Sequence, residues 1–81
     1  MNNKEKLINC YVQALALEAS QVSDELSYNS IPEWDSTAHM LLIAELEGCF
    51  EVMFDMDDII DMSSVAKCQQ ILSNLGVDFS Q

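Results

Sequence analysis

The chain is 81 residues long, enough for one small domain covering 1–81 and no second core. Hydrophobic residues make up 49% of it, so it can fold, but it lacks the bulk for the deep walled pocket most enzymes use. Three Lys+Arg against fourteen Asp+Glu leave a net charge of -11. Phosphate contacts need cations, so this balance excludes nucleic acid and anionic membrane surfaces and favours partners with basic patches.

Gly occurs twice and Pro once, a scarcity that argues against a turn-rich β-sandwich or barrel and for helices. Leu7, Ile8, Tyr11, Val12 and Leu15 recur at the spacing of one helix face. Asn2 or Asn3 can cap the start and Glu5 lies in the first turn, so a first helix is predicted over 3–18. Lys4 and Lys6 ahead of an apolar segment weakly imitate a signal peptide. Asn9 and Gln13 interrupt that segment at helical spacing, and no run approaches a membrane span, so the chain reads as soluble and cytoplasmic; a monomer is expected.

Residues 19–35 form a long connection rich in Ser, Asp and Asn. Val22, Leu26, Tyr28, Ile31 and Trp34 are placed in it as anchors over the core, and Pro32 forbids a continuous helix. A second helix is predicted from Ser36, with His39, Leu42, Ile43, Leu46 and Phe50 as its inward stripe. Thr37, Met40, Leu41, Ala44, Glu47 and Gly48 fall on the opposite side. A short helix follows around Met56–Asp61. Ser63 or Ser64 caps a final helix that buries Val65, Cys68, Ile71, Leu72 and Leu75 and ends at Gly76. The predicted fold is an all-α bundle of three longer helices and one short one, with a long loop after the first.

Cys10, Cys49 and Cys68 are widely separated and odd in number, without a C-x-x-C pair or a His at ligand spacing. They read as small hydrophobes in a reducing compartment rather than zinc ligands. Asp55, Asp57, Asp58 and Asp61 do not make a calcium loop: counted from Asp55, the required Gly is Ile60 and a carboxylate position is Ile59. No metal site is predicted. Asp35, Ser36 and His39 sit close in sequence, but His39 points inward and no second element offers an oxyanion hole, so a nucleophilic triad is not predicted.

On its own, Ser36 before an apolar-periodic run is a helix N-cap. The wider pattern resembles the acyl carrier protein family. Asp35-Ser36 opens an acidic helix, "AELEGCFEV" closes it, and "DMDDIIDM" and "SSVAKCQQIL" follow, so that the likeness runs from about Ile8 to Leu75. The resemblance implies that Ser36 carries a 4′-phosphopantetheine arm, whose thiol holds acyl or aminoacyl groups as thioesters, and that Asp35 assists the modifying enzyme and its metal ion. It implies a non-catalytic carrier. Its partners would be a phosphopantetheinyl transferase and acyl-loading and acyl-transfer enzymes with basic patches.

The cargo is expected between the helices, in an acyl-sized space lined by His39, Leu42, Ile43, Leu46, Ile59, Met62, Cys68 and Ile71. Partners are expected on Thr37, Met40, Leu41, Ala44, Glu47 and Glu51. Thr37 stands where the family carries an aliphatic residue, Leu41 where many members have a carboxylate, and no Gly precedes Asp35. These departures point to a dedicated partner set in a specialised biosynthetic pathway. The competing class is an unmodified helical interaction module with a carrier-like fold.

Overall fold

The computed structural model describes residues 2–79 and shows an all-helical fold: α1 (Asn3–Leu15), α2 (Ser36–Phe50), α3 (Met56–Asp61) and α4 (Val65–Asn74). A single 3-10 turn at Ala19–Gln21 follows α1. No strand forms among the described residues; Ser27 and Ser64 make one isolated antiparallel bridge.

Each helix starts where a side-chain oxygen accepts an otherwise orphaned N–H. Asn2 accepts from the Glu5 N–H at 2.8 Å, Asp35 from Ala38 at 2.9 Å, Asp55 from Asp58 at 2.9 Å and Ser64 from Lys67 at 3.1 Å. Helix α1 ends earlier than predicted, at Leu15 instead of 18. Ala16 turns left-handed (φ 55°), which drops Leu17 into the core, and a reciprocal Glu18–Gln21 capping box opens the 3-10 turn. Helix α2 also closes on a left-handed residue, Glu51 (φ 56°).

The core joins α1, α2 and α4 with the long loop and the α3–α4 junction. Leu7, Tyr11, Trp34, Leu42, Leu46, Met62, Val65, Cys68 and Leu72 are fully buried. The inward face of α2 is Ala38, Leu42, Ile43 and Leu46, rotated slightly from the predicted stripe. His39 and Phe50 sit half-buried at its edges, and Phe50 meets Phe79 edge-on with centroids 6.1 Å apart. Leu75, predicted to be buried, is 40% exposed, because α4 ends at Asn74 and Leu75 turns away as its cap. Gly76 follows with φ 101°, a conformation that a side chain would strain.

Trp34 anchors the loop. It is wholly buried and meets Tyr11 edge-on at 5.3 Å. Val22, Leu26 and Ile31 pack against the core beside it. Tyr28 donates its N–H to the Ser63 carbonyl (2.8 Å) and Val65 donates to Leu26 (2.9 Å), which pins the loop to the turn between α3 and α4. The loop therefore passes over the start of α2 and comes to rest beside α3.

Candidate functional site

Ser36 is the first residue of α2 and is exposed. The cap is supplied by Asp35, whose carboxylate takes the Ala38 N–H, and the Asp35 carbonyl accepts from His39 (2.8 Å). The Ser36 hydroxyl is thus not needed to start the helix. The first-turn N–H groups face the same end, where the helix dipole favours negative charge.

Beside Ser36 lies a cleft of about 290 Å³ between the loop, the start of α2 and α3. Tyr28, His39 and Met40 form one side; Ile59, Ile60, Met62 and Ser63 form the other. Its lining is mostly aromatic and aliphatic.

His39 joins three segments. Its Nδ1 accepts from the Trp34 indole N–H at 2.9 Å, and its Nε2 lies 2.9 Å from the Ile59 carbonyl. An indole N–H can only donate, so Nδ1 carries no proton and Nε2–H donates to Ile59. The imidazole stacks near Trp34 (6.0 Å, 21°), and Tyr28 stands edge-on to both rings. Both ring nitrogens are engaged by Trp34 and Ile59, so neither serves as a base toward Ser36.

Of the predicted pocket residues, His39, Ile59 and Met62 line this cleft. Leu42, Ile43, Leu46, Cys68 and Ile71 do not; they belong to the close-packed core. The bond between His39 and Ile59 ties α3 to α2 at the cleft, and Met62, which also lines it, is only 1% exposed. Tyr28, Ile60 and Ser63 are wall residues that sequence reasoning missed. Their places depend on the path of the loop, and only Tyr28, as an isolated aromatic, left any trace in the pattern.

Thr37, Met40, Leu41 and Ala44 are exposed together on the outer face of α2. Glu47, predicted to face partners, is instead half-buried, its carboxylate accepting the Phe54 N–H at 3.0 Å and fixing the turn after α2. Glu51 is exposed at the left-handed end of the helix. The three cysteines are free thiols: Cys10 and Cys68 are buried and Cys49 is exposed. Burial pushes the Cys68 thiol up to about 12; burial, then the neighbouring Cys49, does the same for Cys10. Burial first, then the Cys68 thiol, raises the Tyr11 hydroxyl well above the ordinary phenol value.

Among the described residues, no group of three or more His, Cys, Asp or Glu side chains could hold a metal ion. No described helix is long and apolar enough to cross a membrane. Compared with protein-family models, curated proteins and solved structures, the chain matches none. Any functional reading therefore rests on the site and on the sequence pattern.

Proposed function

We propose that the chain is a non-catalytic carrier domain that bears a 4′-phosphopantetheine arm on Ser36. The observation that carries this reading is Ser36 itself: an exposed hydroxyl at a helix start already capped by Asp35, opening onto an apolar cleft. The site fits a phosphodiester, because the first turn of α2 offers backbone donors and a favourable dipole to a phosphate. When bound, the arm supplies a flexible thiol that holds an acyl group as a thioester.

Attachment breaks the Ser36 O–H bond and the pyrophosphate P–O bond of coenzyme A. A phosphodiester forms on the Ser36 oxygen, adenosine 3′,5′-bisphosphate leaves, and the hydroxyl proton passes to the transferase or to water. Asp35 immediately precedes Ser36 in the chain, and by the resemblance its carboxylate would assist the transferase and its metal ion. Partner enzymes would meet Thr37, Met40, Leu41 and Ala44, with basic groups of their own facing the surrounding carboxylates. The apolar character of that face favours a dedicated partner set in a specialised pathway.

A second reading draws on one observation. Met40 (56% exposed), Leu41 (55%), Met56 (69%) and Ile60 (73%) are large apolar side chains exposed on α2 and α3. Such a surface can serve an interaction module that carries no arm. A broad-specificity phosphopantetheinyl transferase with a fluorescent coenzyme A separates the two. The carrier reading expects label on the wild type and none on Ser36→Ala; an unlabelled wild type favours the interaction module.

A further inference from the structure

The cleft beside Ser36 has a closed floor. His39, Ile59 and Met62 all line it; Met62 is 1% exposed and belongs to the same core cluster as Leu42, Leu46 and Cys68, which have no exposure and do not line the cleft. A chain passing from Ser36 into that core must part α3 from α2. This separates the His39 Nε2 from the Ile59 carbonyl and disturbs the buried Trp34 indole that His39 also holds. Polar groups in such a place must keep partners, so the network resists opening.

We propose that His39 is a specificity-determining residue: by stitching α3 and Trp34 to α2, it bars extended acyl chains from the core and leaves the cargo on the Ser36 arm outside it, whatever its length. This rests on the carrier reading. The cleft volume of about 290 Å³ agrees with it, falling just below the roughly 300–1,000 Å³ range of small-molecule pockets. The aromatic and aliphatic walls suit a compact apolar group. Ser36 itself is among the lining residues, so an arm on it starts at the cleft and can lay its end, with the cargo, against these walls.

The test compares acetyl and decanoyl thioesters on the thiol of the arm carried by Ser36, by the rate at which hydroxylamine cleaves them. In the wild type both cleave at the same rate, because both remain outside the core. In His39→Val the decanoyl thioester becomes protected, its cleavage slowing about tenfold, the factor that burying about two methylenes supplies. In His39→Gln, which keeps a side-chain N–H for the Ile59 carbonyl, the wild-type behaviour returns. Decanoyl protection in the wild type, or none in a folded His39→Val, overturns the proposal. If His39→Val does not fold, the wild-type comparison decides alone.

Intact mass is read before the rates. A wild type that takes up no phosphopantetheine defeats the carrier reading, and the floor is then probed with free decanoate through the emission of Trp34, the single tryptophan. A closed floor gives no saturable change in the wild type and a saturable change in His39→Val. Saturation in the wild type, or its absence from a folded His39→Val, overturns the floor.

Discussion

Three side chains, Trp34, His39 and Tyr28, organise the surroundings of Ser36, and their roles differ in how far the sequence discloses them. Asp35 and Ser36 are legible from their neighbours alone, since a cap and the residue after it are local matters. The partners of His39 are not, because the indole N–H and the Ile59 carbonyl reach it only after the loop and α3 have folded onto α2. The cysteines also separate by environment. Thiolate is the reactive form, and burial that lifts Cys10 and Cys68 to about 12 leaves almost none of it near pH 8, where the ordinary thiol pKa is about 8.5. Iodoacetamide at pH 8 should therefore modify the exposed Cys49 in the native protein and reach Cys10 and Cys68 only on unfolding. Mass spectrometry after timed quenching reads this directly, and three adducts forming together on the native fold would contradict it.

Among the elements, α2, α3 and α4 begin where the sequence says, because Asp35, Asp55 and Ser64 each precede a helical run and accept from its third residue. The end of α1 was hidden. "ALALEAS" has strong helix propensity, yet Leu17 enters the core (5% exposed) only if Ala16 turns left-handed, and tertiary burial overrides local preference there. The stripe of α2 is displaced for a related reason: Ala38 is buried, while His39 stays half-buried at the edge, held by the Trp34 indole and the Ile59 carbonyl. An L-residue in the left-handed region costs roughly 1–2 kcal/mol, a strain glycine relieves at some entropic cost in the unfolded chain. Ala16→Gly should accordingly raise the melting temperature, by about 4–8 °C for each kcal/mol gained in a domain this size. A calorimetric scan showing no rise, or a fall, would mean that the Ala16 turn is not strained.

At the scale of the molecule, charge is the dominant feature. Eight carboxylates lie between Asp35 and Asp61 without a Lys or Arg among them. Folding pairs Lys67 with Asp61 of that stretch at 3.4 Å and brings Lys6 to the same cavity as Glu51, while Lys4 pairs with Asp24 at 2.7 Å across α1 and the loop. Exposed pairs of this kind contribute little, so repulsion among the remaining carboxylates persists in the folded state. Screening shortens from about 30 Å at 0.01 M salt to about 8 Å at 0.15 M. The melting temperature should rise with sodium chloride over that range at neutral pH, and millimolar magnesium should exceed sodium at equal ionic strength. A flat or falling curve would show that the acidic surface is already compensated.

The carrier assignment stands or falls on Ser36, and the intact mass of the protein tests it most directly. Wild type and Ser36→Ala are each incubated with coenzyme A, magnesium and a broad-specificity phosphopantetheinyl transferase, then weighed by mass spectrometry. The account predicts one phosphopantetheine increment on the wild type and an unchanged mass for Ser36→Ala, whose helix start keeps its Asp35 cap. An increment that survives the substitution, or a folded wild type that gains none, would contradict it.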